Sequence, residues 1–463
     1  MFRVIVAIQA YIASVSRDCL SSTGLIVSIL SLVRGDFDCE KVEGTRKRVT
    51  FANCMKPHLC TLPILEHWVC HHCTACCRGT TIQLTPDDLQ RLQQQKWDQD
   101  RHYRGIQTVR RSSWLTSGPV LAQQADGSCI FLTDSGRCRI HEKFGLEAKP
   151  FMCQLFPLKV VSTDRDSYAT VLRSCPSAAA DRGRPLNQQL QFLKRLLGNE
   201  SENSATPTAP PLLRRTARSW DDFYRVVDAI QRLLTDNRFP LVRRLAHCLR
   251  FCSLLEECKW KRVGTEAVAE LIEVLEQSAC GDVGALFQDR EPPSSSTARL
   301  FRRLGVHFIR CFPGGQPTLR LSDQWKVFRL SGQLARSTRL LPELHPRFPA
   351  IQLDQLESPL GPLSENVLKP LTRFYESHAV SKRYALANSS RSVVVSFRQL
   401  AFTFPMALWM LRWLAVERQP EREDMIPIVV AIERGIALRG LSRAAGYLAE
   451  TGQLDRLIAW YSR

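Results

Sequence analysis

Cys70-His71-His72-Cys73-Thr74-Ala75-Cys76-Cys77 sets four thiols in a C-x2-C-x2-C-C run, and the fold is read outward from it. Thiols separated by two residues can converge on one ion from a single turn, and soft thiolates select zinc, copper(I) or iron-sulfur clusters over hard cations. Eight of the 17 cysteines fall between Cys70 and Cys175, the later ones being Cys129, Cys138, Cys153 and Cys175. With His141, three residues beyond Cys138, they supply ligands that close a site. The expected metal ligands are therefore Cys70, Cys73, Cys76, Cys77, Cys129, Cys138, His141, Cys153 and Cys175.

Neighbouring side chains point in different directions, so Cys76 and Cys77 are not expected to serve one ion equally; one would be a ligand and the other a supporting or redox thiol. His71 and His72 could each replace a thiolate in a Cys3His site or simply face solvent. Arg78 and Lys149 stand where positive charge would lower thiolate pKa. Cys19, Cys39, Cys54, Cys60, Cys248, Cys252, Cys258, Cys280 and Cys311 read as core or incidental thiols, because free cysteine behaves as a small hydrophobe. A disulfide framework is disfavoured, since such scaffolds are usually small secreted domains.

The residues around the thiols predict local structure. Thr85-Pro86-Asp87-Asp88 reads as a helix N-cap with a first-turn proline and acids, opening a helix through Leu89 and Leu92. Asp126-Gly127 and Ser135-Gly136 are turn signals flanking a short strand, Ile130 to Leu132, so a small hairpin carries a cysteine on each arm. Turns of this kind expose N–H groups that can hydrogen-bond thiolate sulfurs. A short helical stretch from His141 ends at Lys149-Pro150, Val160 to Val171 forms a second hairpin, and Cys175-Pro176 closes the segment.

Several blocks now stand in order: Cys70-x2-Cys73-x2-Cys76-Cys77-Arg78, Thr85-Pro86-Asp87-Asp88-Leu89, Gly127-x-Cys129-x-Phe131-Leu132, Gly136-x-Cys138-x-Ile140-His141, and Lys149-Pro150-x2-Cys153-x2-Phe156-Pro157. Over roughly residues 68 to 176 this order resembles the CxxCxxCC cysteine-cluster family, described as zinc- or iron-chelating. With its long helical remainder, the chain is similar to the larger members, those like flagellin lysine N-methylases. The resemblance implies metal or iron-sulfur binding and, beyond that, methylation of protein lysines with S-adenosylmethionine as donor. The residues themselves show neither a G-x-G turn between strand and helix nor the C-x3-C-x2-C spacing of radical enzymes that use that donor.

A hydrophobic content of 44% with 23% charged residues is that of a globular chain, and 463 residues suggest two or three domains. The net charge of +18 suggests acidic partners, but the basic residues are scattered, with Arg46-Lys47-Arg48 the compact cluster outside the helical patterns. A non-catalytic zinc-binding module, including one that binds nucleic acid, is the alternative to an enzyme acting on a lysine-bearing protein substrate, although no interleaved aromatics form a base-stacking platform. Val4 to Val15 and Leu25 to Val33 are each too short to span a membrane; a signal peptide opening at Arg3 is one reading, and the preferred one takes residues 1–54 as an over-extended start before Met55. A cytoplasmic location, where thiols stay reduced for metal, follows from that reading.

Asn199 to Pro211 reads as a linker, followed by helical periodicity over Trp220 to Leu234, Leu241 to Leu255, Thr265 to Gln277, Thr297 to Phe308 and Leu400 to Val416. The last is read as a buried core helix bounded by Arg398 and interrupted by Pro405 and Arg412, with further breaks over Glu291 to Ser296 and His345 to Pro362. The expected fold class is α+β. It divides into a 1–54 extension, a 55–185 cysteine module with short hairpins, and a mainly α-helical 186–463 domain.

Overall fold

The computed structural model describes residues 58–463 except 79, 112–117, 198–207, 215–218, 261–262, 265, 282, 289–290, 315–320, 337–338, 389 and 438–439. The readings of residues 1–54, including Cys19, Cys39, Cys54, the apolar stretches, the basic triplet and the start at Met55, lie outside the described residues, as does most of the 199–211 linker.

The first half is built from short elements: β1 (His58–Thr61), β2 (His67–Trp68), α1 (Pro86–Gln94), β3 (Val109–Arg111), β4 (Pro119–Leu121), α2 (Arg139–Phe144), α3 (Phe151–Leu155), β5 (Leu158–Ser162), β6 (Asp166–Val171), α4 (Pro176–Ala179), β7 (Arg184–Pro185) and α5 (Leu190–Leu197). β6 is the centre of a three-stranded sheet, antiparallel to β5 and parallel to β1. β2 pairs with β7 and β3 with β4, both antiparallel. Thr85 caps α1 reciprocally: its side chain accepts from the Asp88 N–H at 3.1 Å, and the Asp88 carboxylate accepts from the Thr85 N–H at 3.0 Å. The anticipated hairpin over Val160 to Val171 is β5–β6.

Two local expectations are corrected. Ile130 to Leu132 is a turn rather than a strand, joined to its surroundings by the isolated bridges Gln123 to Cys129 and Leu132 to Cys138. Its N–H groups are spent locally, Ile130 on the Ala122 carbonyl and Leu132 on the Cys129 carbonyl, so no ladder extends. The helix read from His141 to Lys149 starts earlier, with Cys138 as its N-cap, and stops at Gly145, whose φ of 88° is left-handed.

The second half is mainly helical: α6 (Trp220–Thr235), α7 (Leu241–Glu257), α8 (Ala267–Gly281), α9 (Ser295–Arg310), α10 (Leu321–Arg336), the pair β8 (Leu340–Leu341) and β9 (Ile351–Gln352), α11 (Leu353–Glu357), α12 (Glu365–Val380), α13 (Arg383–Leu386), α14 (Val393–Leu414), α15 (Arg422–Gly435), α16 (Leu441–Glu450) and α17 (Gln453–Tyr461). The chain is thus an α+β protein with small sheets in its first half and a helical second half.

Helix α14 is the axis of the second half, with all of its 22 residues buried except Val395 and Leu414. It is long and apolar enough to cross a membrane, yet 94% of that apolar window is covered by the protein itself, so it serves as a core helix. Its N-terminus lies at Val393, capped by Ser392, and it runs unbroken through Arg398, Pro405 and Arg412, where boundaries had been expected. Arg398 is tolerated because Glu256 meets it at 2.6 Å, and Arg412 because it donates to the Ser358 and Arg463 carbonyls. The expected breaks contract as well: Ser294 caps a helix that already includes Ser295 and Ser296, and β9 and α11 fall inside His345 to Pro362.

Helix α15 packs on α12, on α9 and on the short α4 of the cysteine module. Buried polar contacts seal that junction. Glu66 accepts from Ser377 at 2.8 Å and from Thr170 at 3.2 Å, Arg383 donates to the Val171 carbonyl at 3.3 Å, and Arg422 donates to the Ala180 carbonyl at 3.0 Å.

Candidate metal centre

The first cysteine run is an irregular loop held in unusual backbone. His72 and Thr74 take positive φ of 53° and 59°, a region that a β-branched residue rarely adopts and that costs of order 1–3 kcal/mol per residue. The loop is fixed by its own bonds: Cys77 N–H donates to the Thr74 carbonyl at 2.8 Å, and Cys129 N–H donates to the Cys77 carbonyl at 2.7 Å. Gly136, at φ 77°, sits close to that loop: a Cβ there would lie 3.2 Å from the Thr74 methyl, tighter than an ordinary contact. That close approach sets the Cys138 turn against the first run.

The later cysteines are held by a different device. Buried Asp88, besides capping α1, accepts from the Phe151 N–H at 2.8 Å and so fixes the start of α3, which carries Cys153. Gln154 donates to the Lys149 carbonyl at 2.6 Å and the Glu147 carbonyl at 3.0 Å, locking the segment that presents Lys149. Cys175 is the N-cap of α4.

These elements gather the eight thiols into two neighbourhoods that share Cys76. Cys76, Cys129, Cys138 and Cys153 act on one another electrostatically, with the Lys149 ammonium among them. Cys70, Cys73 and Cys175 form the other group. Cys76 Sγ and Cys77 Sγ lie 3.8 Å apart because the turn at Thr74 folds both side chains to one side. Two ligands of a tetrahedral zinc, each at about 2.3 Å, are separated by about 3.8 Å, so the expectation that these adjacent residues diverge does not hold here. His141, on the exposed start of α2, feels His72 and Lys149 rather than a sulfur, and His71 Nδ1 is engaged 2.9 Å from the Ser177 hydroxyl.

Burial pushes the Cys129 thiol up to about 11, against an N–H from Phe131 that favours its thiolate, and pushes Cys153 up to about 12. The hydrogen bond with Cys77, then burial, raises Cys76 further, while Lys149 pulls it back. Burial also raises Cys73 and Cys175, opposed by the Ala75 N–H at Cys73 and by Ala178 N–H, the Trp68 indole and Ser177 N–H at Cys175. The Trp68 indole has no conventional partner, consistent with its lying on that sulfur. N–H groups two residues beyond Cys73, Cys129 and Cys175 thus favour the thiolate form of each, the kind of support that thiolate ligands require.

The donor set fits a soft cation in type, in its N–H support and in the Cys76–Cys77 spacing. Among the described residues, no three Cys, His, Asp or Glu side chains yet surround a common point at coordination distance, so closure on a metal requires side-chain rotation. No disulfide joins any described cysteine.

Two cations illustrate what the sequence conceals. Arg78, expected to act on the thiols, is exposed and paired with Asp126 at 3.0 Å. Arg434, on α15, donates to the Ser174 carbonyl at 3.2 Å and to the Ala75 carbonyl at 3.4 Å, and its charge reaches Cys76, Cys175 and Cys73. No spacing signal could have found a residue 359 positions from its partner. Of the thiols read as core or incidental, Cys248 and Cys252 are buried, and Cys60, Cys258, Cys280 and Cys311 are half-buried. An open cleft of about 920 Å³ lies elsewhere, lined largely by α6 and α8 with Arg165 from the β5–β6 turn.

No curated protein and no solved structure matches the chain. Residues 69–176, the span from the first run to Cys175, match the model of the CxxCxxCC family, described as "Putative zinc- or iron-chelating domain".

Proposed function

We propose that this protein binds a thiolate-ligated metal, as zinc or an iron-sulfur cluster, through Cys70, Cys73, Cys76, Cys77, Cys129, Cys138, Cys153 and Cys175, with His141 at the margin. What supports the reading is that these thiols, from four separate segments, lie near enough to influence one another electrostatically, and that the sulfurs of Cys76 and Cys77 stand 3.8 Å apart. Lys149 and Arg434 offset the negative charge that several thiolates would bring. On this reading the helical domain presents a protein substrate, and modification of its lysines with S-adenosylmethionine is what the flagellin methylase resemblance adds.

Anaerobic purification of the full chain, followed by metal analysis, acid-labile sulfide assay and a visible spectrum, tests the proposal. Iron with sulfide and a brown chromophore supports the cluster and leads to assay of donor cleavage and methyl transfer. Colourless protein with stoichiometric zinc supports a zinc module, for which salt-dependent retention on a polyanion would test nucleic-acid binding. Protein that takes up neither metal, or a Cys129→Ser/Cys153→Ser variant that loads as well as the parent, overturns the reading.

A further inference from the structure

We infer that Arg434 of the helical domain is a positioning residue of the metal centre, so that the centre is completed across the junction rather than within the cysteine module. The inference rests on the thiolate reading above and adds a residue outside residues 69–176.

Arg434 leaves α15 and donates from one nitrogen to the carbonyls of Ala75 and Ser174. These carbonyls belong to the residues immediately before Cys76 and Cys175, in two segments otherwise joined through His71 Nδ1, 2.9 Å from the Ser177 hydroxyl. One guanidinium therefore adds a tie between the first run and the last cysteine at the residues next to Cys76 and Cys175 themselves. Its fixed positive charge acts first on Cys311 of the helical domain and then on Cys76, Cys175 and Cys73, where several thiolates would otherwise repel one another.

Its place is secured from behind. Gly435 follows it and packs against Phe308 of α9, where a Cβ would collide with the ring. Glu433 precedes it and is anchored to Arg383 at 2.9 Å in the buried junction. The same helix supplies a natural control in Arg422, which donates to the Ala180 carbonyl at 3.0 Å and so docks the module from the same side. Arg422 acts on the segment after α4, away from the residues that precede Cys76 and Cys175. Domain docking and support of the centre can thus be separated by residue.

The experiment uses the full chain in four forms: parent, Arg434→Gln, Arg434→Lys and Arg422→Gln. Zinc affinity is measured by chelator competition, and cobalt(II) serves as a spectroscopic substitute whose thiolate charge-transfer band reports the ligand field. Uptake by the parent tests the thiolate reading by itself; its failure would remove that reading before Arg434 is considered. With the parent loading, Arg434→Gln is expected to lose affinity by about ten- to a hundredfold, the range for residues that orient metal ligands, and to shift the cobalt band. Arg434→Lys, which keeps the charge, is expected to recover part of the affinity and most of the band position. Arg422→Gln should load as the parent does, whatever it loses in melting temperature. The inference is overturned if Arg434→Gln binds like the parent, or if Arg422→Gln loses as much affinity as Arg434→Gln. Should Arg434→Gln not fold, Arg434→Lys decides alone: an affinity equal to the parent's refutes the two-carbonyl clamp, and a partial loss of affinity supports it.

Discussion

Oε1 of Glu66 accepts a hydrogen bond from the hydroxyl of Ser377 at 2.8 Å, joining the cysteine module to α12 across 311 positions of sequence. The same oxygen lies 3.6 Å from Arg173 Nη2, with both side chains 1% exposed. Removing the carboxylate with Glu66→Ala would strand a buried cation, which costs about 3–5 kcal/mol. Ser377→Ala, which removes the hydroxyl's bond to Glu66 and its longer 3.4 Å contact with the Thr170 hydroxyl but leaves the pair intact, should cost about 1–2 kcal/mol. Denaturant midpoints at unchanged slope measure both.

Metal uptake should strengthen continuously with pH. Cys129 and Cys153, with thiols raised by burial to about 11 and about 12, still hold their protons in neutral solution. A metal must expel those protons, so apparent affinity should rise by about tenfold per pH unit for each such thiol displaced. Zinc competition titrations from about pH 6 to 9 should show no plateau. A profile that flattens near neutrality would mean that the ligands are thiolates before metal arrives.

Acid should loosen the junction through His378. This imidazole is held neutral, its pKa lowered to about 4 by burial and by Arg383 against the opposing pull of Glu433. The unfolded value is about 6.5. A depressed folded value means stability fully present above about 6.5 and lost as pH falls towards about 4. Asp455 works in the opposite sense: burial raises its carboxyl to about 6, so its contribution grows as pH falls through the same window. The test is therefore a difference. His378→Gln should show a shallower fall in melting temperature between about pH 6.5 and 4 than the parent.

Two glycine substitutions should have opposite signs. In Gly305→Ala the new methyl would sit 2.6 Å from Trp409 Cζ3, where α9 crosses the core helix, and the overpacking should cost about 1–3 kcal/mol. Gly332, inside α10, has nothing within 4 Å of its would-be Cβ, so Gly332→Ala should stabilise by about 0.5–1 kcal/mol through helix propensity. Thermal unfolding of the pair measures local crowding rather than composition.

What was legible in the sequence is what is encoded within a few residues. The Thr85 cap, the β5–β6 hairpin and helices α6 to α9 follow from spacing and side-chain chemistry, and residues 69–176 carry their family pattern in order. Helices α12 and α15 contain Pro370 and Pro427, which disturb the periodic pattern, and they form because their packing on each other overrides that local defect. Arg398 looked like a helix boundary because its partner, Glu256, lies on another helix. Asp88 was readable as a first-turn acid but not as the acceptor for Phe151, and Arg434 gave no local sign of reaching the thiols.

The parallel pairing of β1 with β6 has a consequence for the order in which the protein is made. Strand β1 must await residues 166–169, so the run from Cys70 to Cys77 leaves the ribosome long before the sheet to which β1 belongs can form. Cys175 follows shortly after that sheet, and Arg434 is added only when most of the chain has been translated. Full assembly of the thiol array is consequently a late, post-translational event, and a chain stalled before α15 would offer its sulfurs to the cell without the guanidinium that spans them.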